Sequence, residues 1–191
     1  MTHRIPKATL PAELREHMIR QFGRIPEPVE VVWHNPKVGA ASLEMGGRVM
    51  EWDACDEHLK SFAHMAVAAM IGCSWCLDIG YFQAINKGLD LHKASQVPCW
   101  RESTVFTPLE RAVMEYAEAM TSTPVAVTDE LSARLLAQLG PAALVELTAL
   151  IGFANLSTRV NTAHGISSQG YSDACEIPLT KRTGKSGVVL K

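Results

Sequence analysis

Two cysteines separated by two residues, Cys73-Ser74-Trp75-Cys76, carry the strongest chemical signal in the sequence. They follow Gly72, a residue type that ends helices, and they open the next apolar stretch. Both sulfurs are thus expected at a helix N-terminus, where free amides and the helix dipole stabilise a thiolate, the reactive form. Sulfurs so close can also join with little backbone movement. One can then attack while the other resolves. Two blander readings compete. Free cysteines are often small buried apolar side chains and nothing more. Alternatively, Cys55 and His58 together with Cys73 and Cys76 form a nominal metal set of three cysteines and a histidine. A long apolar helix separates the two halves of that set and holds its ends apart, so neither a metal nor another cofactor is expected. The spacing and the helix start favour redox use. Cys99 and Cys175 stand alone and read as structural.

The bulk composition fits small-molecule chemistry. The chain has 191 residues, 47% hydrophobic and 20% charged, which suits one compact globular domain. Lys plus Arg (18) nearly balances Asp plus Glu (20), so no basic field exists to attract nucleic acid. No uninterrupted apolar run approaches the roughly 18–20 residues that span a bilayer, so no membrane partner is expected. The start, MTHRIPKATLPAELREHM, lacks the apolar segment of a secretory signal. A cytoplasmic location follows as the expectation. Five cysteines, an odd number, argue against a disulfide framework in that compartment.

The elements that must position the cysteine pair read as helices. Pro11, Pro36, Pro108 and Pro141 each precede an amphipathic or apolar stretch. Proline suits the first helical turn because the amide it lacks has no intrahelical partner there. Thr107-Pro108-Leu109-Glu110 has the pattern of a capping box. Residues 57–71 are alanine-rich and apolar around most of their circumference, which predicts a buried helix ended by Gly72. Residues 76–87 predict the next helix, stopped near Gly88. Thr128 starts another that leads to Leu139 and Gly140, and residues 141–162 form the longest apolar block. The β-branched stretch Val29–Trp33 is short and isolated. These features predict an all-α bundle with a core at about 40–170, an N-terminal helical extension and a loose tail after Tyr171.

The segment GCSWCLDIGYFQAINKGL resembles the Cys-x-x-Cys helix of the carboxymuconolactone decarboxylase and alkyl hydroperoxidase D superfamily. The run from Glu110 to Ile166 is similar to the C-terminal part of that superfamily: a capped helix, a Thr-x-Thr-Pro turn, a short helix, then a long apolar helix ending in Asn and Arg. The resemblance implies an AhpD-like helical fold that assembles as trimers or hexamers. It implies reduction of a small-molecule hydroperoxide, with Cys76 as the attacking cysteine and Cys73 resolving it and supplying a proton. An external dithiol, lipoyl or thioredoxin-like, would restore the pair. Two other functions fit the same fold: a lactone decarboxylase-like enzyme that does not use the thiols, and a non-catalytic redox-sensing oligomer.

The sequence departs from this pattern at two positions of the proton relay. Redox-active members carry a histidine four residues after the second cysteine, where this chain has Gly80. They carry a glutamate twelve residues before the first, where this chain has Ser61. Glu57, Ser61, His64 and Ala68 share one helix face. If that face looks at the cysteines, His64 can act as base, assisted by Glu57; otherwise His64 is a satisfied half-buried histidine, and Glu57 and Ser61 are solvated. Asp78 reads as a cap or a proton acceptor, and Trp75 and Tyr81 as packing or pocket walls. Asn155, Arg159 and Thr162 share a face, which fits an interhelix hydrogen-bond network better than substrate recognition. His164 lies in the same segment and stays ambiguous.

Overall fold

A computed structural model describes residues 4–172. Among them are eight α-helices, one short 3-10 turn and no strand. They run α1 (Ala12–Phe22), α2 (Glu27–Val32), α3 (Pro36–Met50), α4 (Glu57–Ile71), α5 (Ser74–Asn86), α6 (Leu91–Gln96), α7 (Pro108–Thr121) and α8 (Asp129–His164), with the 3-10 turn at Val97–Cys99. The tail beyond Ser172, including Cys175, lies outside the described residues.

All four prolines sit at helix starts. Pro11 immediately precedes α1, and Pro36 and Pro108 begin α3 and α7. Thr107 and Glu110 form the reciprocal capping box. Gly140 (φ 77°, ψ 168°) breaks α8, and Pro141 opens its longer second segment. That backbone conformation favours glycine, so the two apolar stretches around it cannot continue as one straight helix.

Helix α4 is the centre of the bundle and packs against α5, α7 and α8. Its alanines let neighbours approach closely: Ala63, Ala66 and Ala68 are buried, as are Phe62, Met65 and Val67. Leu147 and Ile151 of α8 and Val113 and Met114 of α7 complete the contact. Each large side chain withdrawn from water in this way contributes roughly 1.5–3 kcal/mol. A buried ion pair anchors the other end of α4. Lys60 is 3% exposed and meets Glu146 at 3.0 Å, while Glu146 also accepts the amides of Ala54 and Cys55.

Three features of these helices have physical causes. The β-branched stretch is α2, because Val29 and Val31 are buried and tertiary burial outweighs their weak helix preference. Helix α5 begins at Ser74, two residues before the expected start, because the Cys73 side chain caps it. An 18-residue window of α8 reaches a mean hydropathy of 1.6, enough by length and composition to cross a membrane, although scattered Thr and Asn interrupt its apolar run. In this fold one face of that helix packs on α4 and α7.

Candidate functional site

The turn between α4 and α5 builds the site. Gly72 takes a left-handed conformation (φ 82°), and its amide and that of Cys73 both donate to the Ala68 carbonyl at 3.0 Å. The chain therefore reverses within one residue, and Cys73 becomes the N-cap of α5. Its Sγ accepts the Cys76 amide at 3.2 Å. The two cysteines form a disulfide with Cα atoms 5.3 Å apart. Both are 2% exposed and cluster with Ala68, beside Trp75 and Leu77. Cys55 precedes α4 and so lies at its opposite end, which separates the nominal metal set into two pairs about 22 Å apart along a 15-residue helix.

The shared face of α4 looks toward α5. Ala68 sits in the cysteine cluster. One turn along, His64 lies against Gly80: a Cβ there would come 2.8 Å from His64 Nδ1. Burial first, and then the Lys87 ammonium, pull the imidazole down to about 4, so it is neutral at pH 7. Ser61 donates to the Glu57 carbonyl and is occupied within its own helix. Glu57 stands at the far end of α4, paired with Lys60 and with Lys87 at the end of α5. The structure thus brings His64 to the cysteine helix one turn beyond the pair, and it keeps Glu57 away from the sulfurs.

A C-terminal segment packs on α5 beside the pair. Asp78 is 2% exposed and accepts hydrogen bonds from Ser168 Oγ (2.8 Å), the amides of Gln169 (3.1 Å) and Tyr171 (2.9 Å), and the amide of Ser172. Burial alone would raise its carboxyl; the bonds from Ser172, Tyr171 and Ser168 outweigh this and hold it below the ordinary carboxylate value. Trp75 Nε1 donates to Gln169 Oε1 at 2.7 Å, and Ser74 Oγ accepts the Ser168 amide. Gln169 also ties to the N-terminal extension through the Glu27 amide and the Ile25 carbonyl. Tyr171 packs edge-on against Trp75 and beside Phe82, with its hydroxyl buried and unpartnered. Asp78 is therefore a latch for residues 168–172, and Trp75 is a wall of the site.

Most of the remaining candidates have structural partners. Tyr81 is fully buried and donates to the Leu91 carbonyl. Asn155 and Arg159 bind the Thr121 hydroxyl and carbonyl at 3.0 and 2.7 Å, closing the end of α7 onto α8. Thr162 bonds within its own helix, to the Thr158 carbonyl. His164 has a buried, unpartnered Nδ1. Cys55 is buried, and its thiol is pushed up to about 11 by burial and by Glu146. Sequence reasoning missed Asn161, which is 4% exposed and donates to Cys76 Sγ at 3.4 Å. Its signal was present: it continues the buried stripe of Ile151, Ala154 and Thr158, and a polar residue there demands a partner.

Residues 36–119 match the model of the carboxymuconolactone decarboxylase family. The uncharacterized protein YnjA of Escherichia coli (strain K12) is 37% identical over 160 residues, which cover 84% of this chain and 81% of that one. Among solved structures, the debrominase Bmp8 in complex with 2,3,4-tribromopyrrole superimposes with a TM-score of 0.79 at 18% identity, over 91% of this chain and 96% of that one. The alkylhydroperoxidase AhpD core of a peroxidase-related protein from Ralstonia eutropha gives 0.74 at 19% identity, over 88% and 94%. The helical order and these likenesses agree: the chain belongs to the carboxymuconolactone decarboxylase family and has the fold of the AhpD core.

Proposed function

We propose that the protein is a thiol-dependent peroxidase that reduces small organic hydroperoxides through Cys73 and Cys76. The observation that carries this reading is the disulfide-bonded pair at the N-terminus of α5. In the reduced protein the Cys76 thiolate attacks the terminal peroxide oxygen. A sulfur–oxygen bond forms, the oxygen–oxygen bond breaks, and Cys76 becomes a sulfenic acid. The departing alkoxide takes a proton from the Cys73 thiol and leaves as the alcohol. Cys73 thiolate then attacks the sulfenic sulfur, and hydroxide departs as the disulfide closes. An external dithiol, lipoyl or thioredoxin-like, returns two electrons and two protons and is itself oxidised to a disulfide.

In this reading His64 relays the Cys76 proton only transiently, because burial and Lys87 disfavour its charged form. Its neutral imidazole stands beside Gly80, one helical turn beyond Cys76. Glu57 acts only indirectly, by pairing with Lys87, whose charge bears on His64. The apolar neighbours Ala68, Trp75 and Leu77 favour an organic substrate over hydrogen peroxide alone. The small aromatic held by Bmp8, a protein of the same fold, is consistent with such a site.

Assembly into trimers or hexamers is part of the same proposal. Ala142, Val145, Ala149, Gly152 and Leu156 form an exposed apolar stripe on α8 at three- and four-residue steps. Val145 is 69% and Leu156 60% exposed in the single chain. Val38, Met45 and Met50 of α3 are exposed as well. Copies of the chain, rather than lipid, are the proposed cover, and a cytoplasmic setting supplies the reducing thiols.

Peroxide turnover with a dithiol reductant tests the reading. Cys76→Ser is expected to abolish turnover; undiminished turnover in that variant would sink the proposal. Activity on a lactone that survives alkylation of both cysteines would instead favour the decarboxylase-like alternative.

A further inference from the structure

The two sulfurs of the pair have different hydrogen-bond donors. Cys73 Sγ takes a backbone amide of its own helix, that of Cys76, at 3.2 Å. Cys76 Sγ faces α8 and takes Asn161 Nδ2 at 3.4 Å. Asn161 is 85 residues away in the chain and 4% exposed, so this contact is made in the interior. The last turns of α8 hold the residue in place. One turn earlier Thr158 is fully buried, with its hydroxyl donating to the Ala154 carbonyl at 2.6 Å. The Asn161 carbonyl itself accepts the Ile166 amide at 3.0 Å as the helix ends.

A sulfur in a disulfide or thiol is a weak acceptor, whereas a thiolate is a charged one. A fixed amide N–H aimed at the sulfur therefore favours the ionised form over the neutral one. The titratable groups around Cys76 supply no substitute. Cys73 and Asp78 share its helix, and the Asp78 carboxylate, two residues on, opposes a second negative charge. His64 of α4 is neutral at pH 7 and adds no cation. His164 lies three residues beyond Asn161 on α8, with its Nδ1 unpartnered.

We propose that Asn161 is a positioning residue that stabilises the thiolate of Cys76, as the Cys76 amide does for the sulfur of Cys73. This rests on the reading that the pair is redox-active. No proton passes to or from the amide: Asn161 donates one hydrogen bond while Cys76 loses its proton, and it keeps donating while the sulfur–oxygen bond forms.

The test is the pH dependence of Cys76 alkylation by iodoacetamide, followed by peptide mass spectrometry in full-length Cys73→Ser protein. Adding Asn161→Ala is expected to move the midpoint up by about one unit, the size of a hydrogen bond to a charged group. Asn161→Gln, which keeps a donor, is expected to recover part of the shift. Should the alanine variant fail to fold by circular dichroism, Asn161→Asp, of equal size but an acceptor when ionised, carries the same comparison and is expected to raise the midpoint further. A folded alanine or aspartate variant with an unchanged midpoint would overturn the proposal, because a purely structural tie between α8 and α5 would lower stability without moving that midpoint. The outcome is separable from peroxidase activity. A shifted midpoint without peroxide turnover in the parent protein would support Asn161 and remove the peroxidase reading. An unchanged midpoint with Cys76-dependent turnover would do the reverse.

Discussion

His64 on α4 fills the space that a side chain at position 80 on α5 would need: a Cβ on Gly80 would lie 2.8 Å from His64 Nδ1 and 3.1 Å from Met65 Cγ. The absence of a side chain at one position thus admits an imidazole from the neighbouring helix. Gly80→Ala is expected to push His64 and Met65 out of place and to destabilise the protein by about 1–3 kcal/mol, the usual cost of overpacking. Urea denaturation of the two proteins checks this; equal midpoints would show that the helices part without cost.

The same contact sets a pH dependence. The His64 imidazole falls from an ordinary 6.5 to about 4 on folding. The unfolded chain then binds a proton that the folded one refuses, so its contribution to stability is full above about pH 6.5 and is lost as pH falls toward 4. His64→Gln removes that contribution. Across pH 6.5 to 4 its stability is expected to fall less steeply than that of the parent, and parallel stability curves would contradict the assignment.

The helical order was legible because local signals and tertiary packing agree. Proline at Pro36 and Pro108, the Thr107–Glu110 box and the Gly72 stop all act within one turn of chain, and each stands where the sequence placed it. The face shared by Glu57, Ser61, His64 and Ala68 was also legible, and it does turn toward α5. A helical wheel gives direction but no axial distance. Glu57 and Ala68 are eleven residues, about 16 Å, apart along the axis, so one face cannot bring both to the sulfurs. The docking of residues 168–172 on α5 was not legible. It depends on Asp78 meeting residues 168–172, ninety or more positions away, through mostly backbone amides that carry no side-chain signature.

Asp78 holds residues 168–172 against α5. With its carboxylate gathering four donors, Asp78→Asn leaves some of those amides unpaired and is expected to cost about 1–3 kcal/mol. Its larger effect is expected on the disulfide itself, which dithiothreitol should reduce several-fold faster once residues 168–172 lift away. Stopped-time thiol trapping measures that rate; an unchanged rate would show that the reductant reaches the sulfurs by another side.

The exposed stripe on α8 makes a separate expectation. Leu156→Glu places a charge at the C-terminal end of the apolar face, one turn from Gly152. Sedimentation of the parent is expected to give a trimer or hexamer and that of the variant a smaller species. A parent that sediments as a monomer would remove this face as a contact between copies.

Peptide mapping of the reduced protein after one equivalent of an organic hydroperoxide tests the thiol chemistry most directly. The expected result is one Cys73–Cys76 disulfide and one alcohol per chain, with Cys55, Cys99 and Cys175 alkylated after unfolding. If all five cysteines remain alkylatable and the hydroperoxide is recovered intact, the pair does not perform this reaction.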